Sequence, residues 1–183
     1  MKIKLIKLLC IAAIIAGISQ PAFSADQTRQ VSGFTAISSS GSFHVYVKID
    51  GTETLKISAD DAVIDQIETV VEKGTLKIRY KNEHMWSSHN VQKQDIYITA
   101  KSLSALENSG SGIIKVENTI TATDFKAALS GSGTISTDVK ADAVHASISG
   151  SGNINLHGTA NDASISISGS GSIAAKDLQT QIS

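Results

Sequence analysis

Two histidines, a methionine and a glutamate fall within nine residues, Asn82-Glu83-His84-Met85-Trp86-Ser87-Ser88-His89-Asn90, the densest concentration of reactive side chains in the chain. Imidazole and thioether groups suit copper or zinc, which makes His84, Met85 and His89 the candidate metal ligands. Their spacing matches no diagnostic ligand pattern. A polar hairpin tip between strands at Leu76–Tyr80 and Asp95–Ile98 accounts for the same residues. The expectation is therefore an exposed tip with no metal and no cofactor, on which Trp86 is placed to contact a sugar ring or a protein partner. His145 and His157 stand singly and are expected to face solvent.

Hydrolytic chemistry on a saccharide needs two carboxylates about 5 to 10 Å apart, and a lyase needs a base beside positive charge. The second half of the chain offers Glu107, Glu117, Asp124, Asp138, Asp142, Asp162 and Asp177 with Lys115, Lys126, Lys140 and Lys176, and no arginine. Solvated turns explain these positions, so no catalytic residue is assigned, and a polysaccharide lyase or hydrolase is the alternative reading. The only cysteine, Cys10, sits in an apolar leader. Without that leader the chain has no thiol, hence no disulfide and no cysteine nucleophile.

Lys2, Lys4 and Lys7, an apolar run from Leu8 to Ile18 and Ala22-Phe23-Ser24 have the layout of a signal peptide over residues 1–25, cleaved after Ser24 or Ala25. Eleven apolar residues are too few to span a bilayer core, which takes about 20 in a helix. The remaining residues, 26–183, carry 13 basic against 17 acidic side chains, a net charge of −4. Such a surface disfavours nucleic acid, and no integral membrane segment is expected after leader removal.

The elements that must position any site divide into two textures within one expected domain. Residues 31–100 form a β-rich portion with alternating runs at Phe43–Ile49, Thr54–Ile57, Thr75–Tyr80 and Asp95–Ile98. Asp50-Gly51 is expected to close the first two as a hairpin, and Asp60–Asp65 to make a short helix. From residue 101 small residues dominate, and Ser-Gly-Ser-Gly recurs at Ser109, Ser130, Ser149 and Ser168, with spacings of 21, 19 and 19. A fixed period of this kind marks stacked units that bury their apolar faces only against their neighbours. The fold expected is all-β: a parallel β-helix or β-solenoid of about 19 to 21 residues per rung over 101–183.

Gly110, Gly112, Gly131, Gly133, Gly150, Gly152, Gly169 and Gly171 are expected to make the sharp turns, with the serines aligned in ladders. Leu129, Ile148 and Ile167 would form one aliphatic column and Ile135, Ile154 and Ile173 another; Asp124, Asp142 and Asp162 mark a third recurring position. No lysine or helix start follows the glycines, so a phosphate cradle is not indicated. Isoleucines stand where a calcium-binding β-roll requires aspartate.

Segments such as Ile148-Ser149-Gly150-Ser151-Gly152-Asn153-Ile154-Asn155, after Phe34–Val47 and Gly74-Thr75-Leu76-Lys77-Ile78, resemble the autotransporter adhesin head GIN domain, a domain of unknown function in exported bacterial proteins. The resemblance covers nearly all of the chain beyond the leader. It implies a β-helix-like coil and supplies no catalytic residues. Asn108 departs from the Leu, Ile and Ile of later copies, which suggests a junction there. Asp177–Ser183 match Asp162–Ser168 in spacing, an open last rung expected to self-associate. The functional expectation is an extracytoplasmic, adhesin-like binding or structural module for a glycan or a cell-surface protein. A metal-binding module on the 84–89 loop is the second alternative.

Overall fold

Alternation of apolar and polar side chains dictates strands nearly everywhere. The computed structural model describes residues 24–81 and 94–180, so residues 1–23 of the leader, the loop with His84, Met85, Trp86 and His89, and residues 181–183 lie outside the described residues. The described chain is all-β apart from one helical turn. Its strands are β1 (Ser24–Arg29), β2 (Ala36–Gly41), β3 (His44–Ile49), β4 (Thr54–Asp60), β5 (Ile67–Glu72), β6 (Thr75–Tyr80), β7 (Gln94–Ala100), β8 (Ala105–Gly110), β9 (Ile113–Val116), β10 (Ile120–Gly131), β11 (Thr134–Gly150), β12 (Asn153–Gly169) and β13 (Ser172–Thr180), with α1 at Asp61–Ile64.

All belong to one curled sheet with two wings. One wing runs β1-β4-β7-β3-β9 and the other β5-β6-β2-β8-β10, and the long strands β11 and β12 cross both. Pairing within the repeats is parallel and in register at the repeat spacing, with Ser149 beside Ser130 and Ser168 beside Ser149. The antiparallel pairs are β1–β4, β4–β7 and β5–β6. The β5–β6 turn is Lys73-Gly74, whose φ values of 49° and 76° are both positive, as a tight two-residue hairpin requires.

The inward faces of the two wings share one core. One column runs Ile57–Ile96–Val45–Ile114–Ile135–Ile154–Ile173, so the aliphatic residues of the repeat continue those of the first half. The opposite wing stacks Ile37, Leu106, Ala127, Ala146 and Ile165, with Ser39, Asn108, Leu129, Ile148 and Ile167 beside them. Phe34, Phe43 and Phe125 are the largest of the fully buried side chains. Arg29 fastens β1 to the far wing: its guanidinium donates to the Ile67 carbonyl at 2.6 Å, the Ile64 carbonyl at 3.1 Å and the Gln27 amide oxygen at 2.6 Å.

Three local expectations are corrected. Strands β3 and β4 are not a hairpin: β7 lies between them, because β3 finds a parallel partner in β7 and β4 an antiparallel one. Strands β6 and β7 do not pair either, since β6 lies between β2 and β5 on the opposite wing, so these two strands do not form the expected hairpin. Asp124 and Asp162 flank Ala143 on its two sides, whereas Asp142 lies at the corner of its strand. The 19-residue register fixes that row, and Asp142 falls one residue short of it.

Candidate functional site

The outer face of β4, β7, β3 and β9 carries the densest convergence of binding chemistry among the described residues. Inward residues Val45, Val47, Ile96 and Ile98 are buried, so alternation turns Tyr46 and Tyr97 outward on adjacent strands. Parallel pairing sets the two tyrosines directly side by side. Their rings lie 5.3 Å apart between centroids at 17°, an offset stack that leaves ring surface accessible, and Tyr97 is 43% exposed.

Polar groups surround the stack. Lys56 is the in-register neighbour of Tyr97, and Lys115 that of Tyr46, so the row across four strands reads Lys56–Tyr97–Tyr46–Lys115. Along the strands the rings are bounded on one side by His44 and Asp95, whose Nδ1 and Oδ1 lie 3.5 Å apart. On the other side stand Lys48 and the hydroxyl cluster Thr52–Thr99–Thr54, linked at 3.1 and 2.9 Å. Lys56 pairs with Asp26 at 2.7 Å, while Lys48 and Lys115 form no salt bridge among the described residues. A shallow depression of about 230 Å³ runs against the rings and the threonines.

The glycines of the repeat line a different edge. At Gly150 φ is +133°, and its carbonyl oxygen accepts from the N–H groups of Ser170 and Gly171 in the next copy at 3.0 and 2.9 Å. The same double acceptance recurs at Gly110 and Gly131. The turns are thus joined through the backbone, and the serines Ser130, Ser149 and Ser168 stand exposed in an outer row. Gly112, Gly133, Gly152 and Gly171 have backbone or side-chain atoms of the preceding copies where a Cβ would be. Asn108 is buried, with Nδ2 donating to the Gly112 carbonyl at 2.7 Å, so a polar side chain braces the first of these turns.

The corner row offers a wider groove of about 820 Å³ along Thr121–Thr123, Lys140–Asp142 and Thr159–Asn161. Its lining is small and polar, and Asp142 accepts from Asn161 at 3.1 Å. Of the carboxyls displaced from their ordinary values, Asp50, Glu53 and Glu72 all lie lower. The Thr52 hydroxyl lowers the first, and Lys101 and Lys77 the other two. A general acid would need displacement in the other direction. Tyr80, pushed up by burial, donates to the Gln94 amide oxygen across the two wings, and its ring lies 4.8 Å from Phe43. Among the described residues there is no group of three or more His, Cys, Asp or Glu placed to hold a metal ion. No helix among them is long and apolar enough to cross a membrane.

Residues 33–183 match the profile of the family described as "Putative auto-transporter adhesin, head GIN domain". The chain belongs to that family. Comparison with curated proteins finds no match. Among solved structures, this head GIN chain is similar to a "putative lipid binding protein" from Parabacteroides distasonis, with 23% identity, TM-score 0.68 and coverage of 86% of this chain and 75% of that one. It is likewise similar to a "putative adhesin" from Parabacteroides merdae, with 18% identity, TM-score 0.68 and coverage of 85% and 73%. A further "putative adhesin", from Bacteroides fragilis, matches at 18% identity and TM-score 0.54 over 84% of this chain and 97% of the other. At these identities the head GIN fold is what is shared.

Sequence reasoning missed Tyr46 and Tyr97. They are remote in the chain, and only the parallel β3–β7 pairing brings them together. Alternation within Phe43–Ile49 and Asp95–Ile98 turns each outward, but nothing in the sequence says that the two strands are neighbours.

Proposed function

We propose that this chain is an exported, non-enzymatic, adhesin-like module, one domain built as a parallel β-solenoid, which holds a saccharide chain on its Tyr46–Tyr97 face. The offset tyrosine stack carries this reading. Sugar rings present C–H faces to aromatic surface and hydroxyls to neighbouring donors and acceptors. Here the rings are bounded by Lys48, Lys56, Lys115 and the threonine hydroxyls. The leader-like N-terminal segment and the family's adhesin description support a location outside the cytoplasm. The lowered carboxyls and the polar, solvated corners favour binding over hydrolysis.

A glycan array probed with the full chain tests the proposal. Tyr97→Ala and Tyr46→Ala should each weaken the strongest saccharide signal at least tenfold, about 1.4 kcal/mol, while leaving the circular dichroism spectrum unchanged. Undiminished binding by both variants, or no saccharide bound at all, overturns it.

A further inference from the structure

The copy of the repeat that borders the tyrosines departs from the others on its outer face. In each Ser-Gly-Ser-Gly-x-Ile segment from Ser109 onward, alternation turns the x residue and the residue two beyond it outward and the isoleucine between them inward. On β11, β12 and β13 the outward pairs are Thr134 and Ser136, Asn153 and Asn155, and Ser172 and Ala174, all small or polar without charge. On β9, which pairs with the tyrosine-bearing β3, they are Ile113 and Lys115. Ile113 is 38% exposed. A lone exposed isoleucine is ordinary on a protein surface. This one is in register with His44 and diagonal to Tyr46, so it extends the ring surface on the side away from the threonine depression.

With neighbouring strands about 4.8 Å apart and alternate residues about 6.6 Å apart, His44, Ile113, Tyr46 and Lys115 mark the corners of a rectangle of roughly 5 by 7 Å. Its corners carry an imidazole, an aliphatic branch, an aromatic ring and an ammonium group. We propose that the saccharide held on this face carries 2-acetamido groups, one of which is seated between β3 and β9 beside a sugar ring on Tyr46; this inference rests on the saccharide reading. An acetamido group offers a methyl, a carbonyl oxygen and an N–H, and the corners answer each. The methyl covers Ile113, and the carbonyl accepts from the Lys115 ammonium. Asp95 Oδ1 lies 3.5 Å from His44 Nδ1 and favours the proton on that nitrogen, so Nε2 of the neutral ring accepts from the acetamido N–H. A hydroxyl at the same carbon leaves Ile113 uncovered. A 6-deoxy sugar has a methyl but no carbonyl for Lys115.

The test is an array of matched oligosaccharides in gluco, galacto and manno configuration, each in 2-acetamido, 2-hydroxy and 6-deoxy form, probed with the full chain. The tightest binding should be to a 2-acetamido member, at least tenfold stronger than to its 2-hydroxy counterpart. Ile113→Ser and Lys115→Ala install the side chains that Ser172 and Ala174 bear at the same outward positions of β13, so the strand should form as before. Each should cut the acetamido preference at least threefold and leave binding of the 2-hydroxy form unchanged. Tyr97→Ala should weaken both forms alike. Equal binding of the two forms, a larger gain from the 6-deoxy group than from the acetamido group, or a preference indifferent to Ile113→Ser would each overturn this inference; loss on Tyr97→Ala would then still leave the face a saccharide site. No saccharide bound, or binding indifferent to Tyr97→Ala, would remove the saccharide reading and this inference with it.

Discussion

At Gly150 a Cβ would lie 2.4 Å from the Gly131 carbonyl oxygen, on a backbone already at φ +133°. Gly152 has no such φ, yet its Cβ would meet the Gly133 carbonyl oxygen at 2.4 Å and Leu129 Cδ2 at 2.5 Å. One position demands glycine for conformation and space, the other for space alone. Gly150→Ala and Gly152→Ala should each lower unfolding free energy by about 2 kcal/mol or more. Gly51→Ala, with open space around it, should cost only about 1 kcal/mol of backbone strain, as read from urea midpoints. The Ser-Gly-Ser-Gly pattern was legible because it repeats, but an earlier member, Ser40-Gly41-Ser42-Phe43, escaped notice. It lies far upstream of Ser109, outside the regular spacing, and carries Phe43 where the later copies have their second glycine. The structure stacks Gly110 directly on Gly41.

Glu53 titrates in a sense that can be tested. Its side chain is 7% exposed, paired with Lys101 at 2.7 Å, and accepts from the Gly33 and Phe34 N–H groups at 2.8 and 3.3 Å. The Lys101 contact foremost holds its carboxyl below the ordinary 4.5. A carboxyl depressed in the folded state stabilises above its unfolded value and loses that contribution as pH falls through the folded one. Melting temperature should therefore drop on acidification below about pH 4.5. Glu53→Gln should lower it at neutral pH and flatten this acid limb.

At the scale of strands, burial separates residues that the sequence makes look alike. Ile148 and Ile154 are 3% and 0% exposed, and each change to alanine should cost about 2 to 5 kcal/mol. Ile167, in the same column as Ile148 but 46% exposed, should cost far less. Ser151→Ala, on an exposed turn, should cost under about 1 kcal/mol. Equal losses at Ile148 and Ile167 in denaturant titrations would contradict that difference in burial. Alternation alone made β3, β6 and β7 readable. It left β5 unseen, because Ile67–Glu72 runs Ile-Glu-Thr-Val-Val-Glu with two valines in succession.

At the scale of the molecule, what the sequence withheld was pairing. Local pattern says that a segment is a strand and which face is apolar, but strand neighbours remote in the chain are chosen by how the whole core closes. Turn residues at Asp50-Gly51 pointed to a hairpin, and the core put β7 there instead, so that Ile96 could stand between Ile57 and Val45. The tyrosine face is a product of that choice. The repeat half was easier, since the recurring motif, at spacings of 21, 19 and 19, marks both the register and the partner of each copy.

Among the described strands, β1 and β13 stand at the two ends of a run of eight, β1-β4-β7-β3-β9-β11-β12-β13. Tension applied between those two strands acts across the sheet, in line with the inter-strand hydrogen bonds, so the bonds part in succession instead of resisting together in shear. The stack yields gradually under load. Each released copy of 19 residues adds slack of roughly 60 Å at the extended rise of a strand. β13 is held to β12 through seven residue pairs and β1 to β4 through six, so peeling can begin at either end, and from the β1 end it meets β4 and the tyrosine-bearing β7 first.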